Sequence, residues 1–210
     1  MLGTQDLLLF MLSGLLLNMI PGPDSLLIMA RSASQGWRAG SAAALGIGAG
    51  TLVHILAAAL GLSALLATSA TAFTLVKLLG ACYLLYMGLS MLLAKGREKA
   101  QPHALKPQRL ARTFAQGFLT NVLNPKVALF FLAFVPQFIR PDAPDKALAF
   151  VFLGLVFNLN GMLWCHGLEL FTAYASSKVK ASQRLALWLG RSMGALFLGL
   201  GARLALSDNH

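Results

Sequence analysis

Two charged side chains stand directly after proline in the middle of apolar stretches. Asp24 ends the run Asn18-Met19-Ile20-Pro21-Gly22-Pro23-Asp24, and Lys126 ends the run Asn121-Val122-Leu123-Asn124-Pro125-Lys126. A proline inside an apolar helix breaks it and frees backbone N–H and C=O groups. Lipid cannot satisfy those groups, so such breaks survive only where protein or a cavity surrounds them. A carboxylate at membrane depth costs roughly 2.5–3.5 kcal/mol on insertion scales, which selects for a partner or a wet cavity. Asp24 could hold a substrate ammonium or carry a proton; the plain alternative is a charge that stabilises a helix start. Lys126 could hold a carboxylate, or pair with Asp24 when the site is empty; the plain alternative is a stem that snorkels to an interface.

Other polar groups gather around these breaks. Gly22 permits tight backbone, and Asn124 is a candidate N-cap. After the break at Pro21, Pro23 suits the first turn of a second half-helix, as does Pro125. Amides exposed after Gly22 and around Asn124 could bind a carboxylate. Asn18 and Asn121 either line a site or stitch the breaks together. The substrate-binding set is therefore Asp24, Lys126, Asn18, Asn121, Gly22 and Asn124. His54 and Glu169 join Asp24 as candidate proton carriers; a hydrogen-bonded structural role is the alternative for His54, and an interfacial position for Glu169. Cys165, His166 and Glu169 could suggest a metal site, but three donors on one helical turn support it weakly. A polar wall along Asn158, Cys165 and Glu169 is the simpler reading, and no metal or cofactor is expected.

The elements that must position these groups follow from composition. The 210 residues are 57% hydrophobic and 11% charged, with a mean hydropathy of +0.70. The apolar residues come in long runs that a soluble domain of this size does not hide. The net charge of +10 lies mainly between those runs, with no aromatic-interleaved basic motif. It therefore suits loops beside lipid head groups and not nucleic acid. Cys82 and Cys165 lie inside apolar runs, imply neither a disulfide framework nor a zinc cluster, and are expected to be dispensable. Residues 1–6 carry no positive charge, so the first apolar segment reads as a retained helix.

Six segments can cross a bilayer, near 7–30, 42–66, 73–94, 113–138, 147–172 and 186–206, since about 20 apolar residues suffice. The first and fourth contain the breaks. Gly14 and Asn18 match Gly117 and Asn121; Pro23 and Asp24 match Pro125 and Lys126; His54 and His166 occupy similar places, as do Gly80 and Gly190. The expected fold is an all-α polytopic membrane protein with six transmembrane helices arranged as two inverted three-helix repeats. The repeats occupy 1–94 and 113–210, joined by a basic linker at 95–112. An odd span count in each half reverses the second one. Arg31 and Arg38, the basic linker, and Lys178, Lys180 and Arg184 fall on one side; Arg140 and Lys146 on the other are balanced by Asp142 and Asp145. The positive-inside rule then places both termini in the periplasm. Gly46 with Gly50, and Gly190 with Gly194, could pack helices within one chain or between two copies of a homodimer.

Several stretches carry a family resemblance. Pro21-Gly22-Pro23-Asp24, Arg31-Ser32-Ala33-Ser34-Gln35-Gly36, Lys77-Leu78-Leu79-Gly80-Ala81-Cys82-Tyr83-Leu84-Leu85-Tyr86-Met87-Gly88 and Gly117-Phe118-Leu119-Thr120-Asn121-Val122-Leu123-Asn124-Pro125-Lys126 resemble the LysE/RhtB family of bacterial amino-acid exporters. The resemblance covers nearly the whole chain. It implies efflux of an amino acid across the bacterial inner membrane, driven by the proton motive force, with no enzymatic activity. Asp after Pro-Gly-Pro is more similar to the homoserine/threonine branch, which implies a small neutral substrate. An intramembrane hydrolase could draw on Ser25 and the histidines, but no recognised nucleophile motif frames them. A membrane thiol–disulfide electron carrier should place its cysteines at the breaks, where this chain has Asp24 and Lys126. A metal-cation exporter is a variant of the leading reading.

Overall fold

In the computed structural model the described residues are 2–62, 70–93 and 106–175, with eight residues of 191–202. The named elements are all helical: α1 (Leu7–Met19), α2 (Pro23–Gln35), α3 (Trp37–Ala57), α4 (Ala70–Leu92), α5 (Leu110–Val122), α6 (Pro125–Leu129) and α7 (Lys146–Ala175). α3 continues into a π turn, Ala58–Leu62, and α6 into a π turn, Phe130–Phe134, and a 3-10 turn, Val135–Phe138. Trp37–Gly61 and Lys146–Tyr174 are each long and apolar enough to cross a membrane. The pairs α1–α2 and α5–α6 pass the same test as bent units, with bends of 56° and 45°. The chain is an all-α polytopic membrane protein.

Local chemistry explains the interruptions. Pro23 takes the first turn of α2, behind extended Gly22, and Asp24 sits in that turn. Pro125 opens α6, and the Asn124 side chain accepts the Lys126 backbone N–H at 3.0 Å. Both half-helix starts therefore fall where the prolines predict. Gly36 alone separates α2 from α3, at φ 78°, a left-handed value that a side chain would strain. The second half of the later break is less regular than a single half-helix to residue 138. Pro136 lacks an N–H, and the α ladder gives way to π and 3-10 turns just before it. α5 begins at Leu110, inside the range expected for the linker.

Corresponding segments of the two halves pack antiparallel. At one end of the bent pairs, Thr4 bridges Ile139 and the Gln5 N–H donates to the Phe138 carbonyl at 2.9 Å. At the other, the Gln35 amide donates to the Gln108 carbonyl at 2.9 Å and Arg31 to Gln116 at 2.8 Å. Between α3 and α7, Ser41 meets Glu169, Gly48 faces Met162 and Ile55 faces Gly154. Between α4 and the described residues beyond 190, Gly88 faces Gly194 and Leu85 faces Gly201. All three pairings run antiparallel. Most of the linker, most of the sixth expected span, Lys178, Lys180, Arg184, Gly190 and the Tyr83 side chain lie outside the described residues.

Glycine permits the closest contacts. The backbones of Gly46 and Gly50 on α3 lie against Phe114 and Phe118 of α5, and Gly117 on α5 lies against the Ala43 carbonyl. Gly46 and Gly50 thus pack helices within one chain. The apolar core beside the second break is aromatic: fully buried Phe10 has its ring centroid 6.1, 6.4 and 5.2 Å from those of Phe130, Phe134 and Phe138.

Candidate functional site

The antiparallel packing brings the two breaks face to face. Asp24, buried in the first turn of α2, accepts two hydrogen bonds on Oδ2: from the Asn121 amide at 2.9 Å and from the Asn124 amide at 3.0 Å. Asn121 ends α5 and Asn124 caps α6, so one carboxylate oxygen is held by both sides of the other break. Hydrogen bonds to a charged acceptor contribute about 1.5–3 kcal/mol each, which offsets part of the cost of burying the carboxylate. Oδ1 is buried and has no hydrogen-bond partner.

Lys126 makes the reciprocal connection. Its Nζ donates to the carbonyls of Leu17 and Ile20, both at 3.3 Å. Those carbonyls belong to the end of α1, the negative pole of that helix, where a cation is favoured. Gly22 makes room for this reach, since a Cβ there would stand 3.3 Å from Nζ. Asp24 and Lys126 do not form an ion pair: each is hydrogen-bonded instead by the backbone or amides of the opposite break. The pairing considered for an empty site gives way because these polar groups are nearer than the opposite charge. An ammonium has three donors, and the two carbonyls use two of them.

A cavity of about 30 Å³ lies at this crossing, room for about two waters. Its wall includes Asp24, Lys126, Asn18, Asn121, Thr51 and Asn158. Asn18 Nδ2 is buried without a partner, and the absence of a side chain on Gly161 leaves it space. The apolar part of the wall is Leu17, Ile47, Val127, Phe157 and Met162. Of the expected binding residues, Asp24, Lys126, Asn18 and Asn121 line the cavity, while Asn124 and Gly22 position Asp24 and Lys126 from just behind it.

His54 does not reach the cavity wall. Its Nε2 lies 3.0 Å from the Asn121 carbonyl, which can only accept, so the proton is on Nε2. The ring stacks on Phe131. Glu169 is buried, not interfacial: Oε1 accepts from Ser41 at 2.5 Å and lies 3.2 Å from His166 Nδ1. Of the polar stripe along α7, Asn158 and Cys165 line the cavity and Glu169 does not. Thr51 and Met162, which stand outside the sequence motifs, also line the cavity. Thr51 is one turn before His54 on the same stripe of α3, and its hydroxyl is 3.3 Å from Asn121 Oδ1; that spacing was its available signal.

Known proteins resemble this chain along almost its whole length. An uncharacterized membrane protein of Pseudomonas aeruginosa is 34% identical over 208 residues, covering 97% of this chain and 96% of the relative. Leucine efflux proteins of Salmonella typhimurium and Salmonella typhi are each 28% identical over 203 residues, with coverage of 97% and 96%. No solved structure matches. The profile of the LysE type translocators matches residues 15–208, a stretch that takes in both crossed breaks, and the chain belongs to that family.

Proposed function

We propose that the chain exports a neutral amino acid across the bacterial inner membrane, with both termini in the periplasm and the proton motive force as driver. One observation carries the binding part: two residues of the cavity wall each hold a buried polar atom without a hydrogen-bond partner, the carboxylate oxygen Asp24 Oδ1 and the amide donor Asn18 Nδ2. A zwitterion supplies the complement of both. Its ammonium would bind Asp24, and its carboxylate would bind Asn18 and the remaining donor of Lys126. Unpaired buried polar groups are costly, so a ligand that satisfies them gains that free energy on binding.

The family and the leucine efflux relatives support export of an amino acid. Leu17, Ile47, Val127, Phe157 and Met162 favour an aliphatic side chain over a hydroxyl-bearing one. The homoserine/threonine-like reading rested on Asp24. In this geometry Asp24 serves an ammonium, which every amino acid has, so it does not select the side chain. A cavity of about 30 Å³ is too small for any amino acid, so substrate enters a more open conformation. Rocking of the two antiparallel halves about the crossed breaks would supply it.

The test is counterflow in proteoliposomes with labelled leucine, threonine and homoserine. Leucine should exchange fastest. Asp24→Asn and Lys126→Met should abolish exchange at normal protein abundance, and Asp24→Glu should keep a fraction of it. Wild-type exchange by Asp24→Asn would overturn the site.

A further inference from the structure

A second buried carboxylate lies away from the cavity. The Glu169 side chain is 3% exposed and the His166 side chain 39% exposed, one on each side of a 3.2 Å contact. Glu169 Oε1 also accepts the Ser41 hydroxyl, whereas Oε2 is buried and has no partner. Ser32 Oγ, equally without a partner, closes with Glu169 on the backbone of Gly40. The groups around this carboxylate are Ser32 of α2, Ser41 of α3, and Cys165 and His166 of α7; only the last two titrate. Arg31, the nearby charge on α2, is engaged by Gln35, Gln116 and the Lys106 carbonyl. Arg38 on α3 lies over the Trp37 ring. Among the described residues Glu169 therefore has no Lys or Arg partner.

We infer that Glu169 is a second proton site, separate from Asp24, which exchanges its proton with water through His166 and thereby sets the tie between α3 and α7. This rests on the exporter reading above. His166 takes a proton from water on Nε2, passes its Nδ1 proton to the carboxylate and is left as the neutral Nε2–H tautomer. Reversal of the same step returns the proton to water. The ionised carboxylate accepts the Ser41 hydroxyl in a charge-assisted bond; once protonated it accepts a neutral one, roughly half as strong. Ser41 belongs to the first half and Glu169 to the second. Arg31 with Gln116 joins the halves at the same end. Proton occupancy of Glu169 thus biases the opening of that end, while Asp24 handles the substrate. A proton needs no cavity, which fits a carboxylate packed this closely.

Two measurements on the purified full-length protein in liposomes test this. The first is an infrared pH titration: wild type should show a protonated-carboxyl band that Glu169→Gln lacks and Glu169→Asp restores at a shifted position. The second compares leucine counterflow with leucine accumulation driven by a pH gradient. Glu169→Gln keeps the shape and the Ser41 acceptor, so it should retain exchange and lose accumulation. His166→Ala should retain exchange and shift the pH profile of accumulation. A carboxyl band unchanged in Glu169→Gln overturns the inference. So does wild-type accumulation by that variant, or loss of exchange along with accumulation in a variant of normal thermal stability. Absence of leucine exchange in the wild type would instead count against the exporter reading, and the infrared titration would still decide the proton site.

Discussion

Asp24 and Asn121, 97 residues apart, share a 2.9 Å hydrogen bond that joins the start of one half-helix to the end of another. With Lys126 on the Leu17 and Ile20 carbonyls, it makes a reciprocal stitch: the charged residue of each break satisfies polar groups of the opposite break. Neither break is complete without the other half of the chain. Movement of one half against the other therefore acts directly on the groups that line the cavity.

The two asparagines should separate experimentally. Asn121→Ala removes one of two donors to Asp24 Oδ2, at a cost of about 1.5–3 kcal/mol. Asn124→Ala removes the other donor and also the α6 cap, which adds about 1 kcal/mol. Asn124→Ser should recover the cap alone. Thermal unfolding in detergent should rank the stabilities as wild type, then Asn121→Ala and Asn124→Ser, then Asn124→Ala. Equal midpoints for Asn124→Ser and Asn124→Ala would remove the cap from the account.

Close approach of α3 and α5 makes Gly46 and Gly117 sensitive. A Cβ at either position would collide with a backbone carbonyl, of Phe114 or Ala43. Overpacking of this kind costs about 1–3 kcal/mol. Gly46→Ala and Gly117→Ala should lower the unfolding midpoint and the membrane abundance. Gly167→Ala, where a Cβ meets nothing within 4 Å, should be neutral or slightly stabilising in its helix.

Cys165 borders the cavity and Cys82 is exposed on α4. In a Cys82→Ala background, a small thiol reagent should modify Cys165 slowly, and bound substrate should slow it further. Mass spectrometry of the labelled protein reads this directly. Substrate-independent labelling would separate the cavity from the substrate path. Replacement of both cysteines by alanine should still leave exchange measurable, because neither sulfur makes a polar contact to Asp24 or Lys126.

Membrane orientation is open to reporter fusions. A fusion after Ala100 should report cytoplasm, and one at the C-terminus should report periplasm. The motive is the basic excess around Arg31, Arg38 and the linker. The contacts from Arg31 and Gln35 to the Lys106 and Gln108 carbonyls place two of these regions at one end of the molecule. A cytoplasmic C-terminus would refute the six-span orientation.

The sequence alone determined the positions of the breaks, because proline geometry and N-capping are local. Pro23, Pro125 and Asn124 begin their half-helices where their chemistry requires. It also determined the membrane class, through long apolar runs. What only the tertiary structure decided is which polar group satisfies which. Asp24 could have met Lys126, yet takes two amides, and Lys126 takes two carbonyls. Cys165 at the cavity and Glu169 buried against Ser41 depend on how α7 rotates against α3. That rotation is set by Gly48 against Met162 and Gly154 against Ile55. Such pairings are contacts between distant segments, and no periodicity within either helix encodes its partner's register.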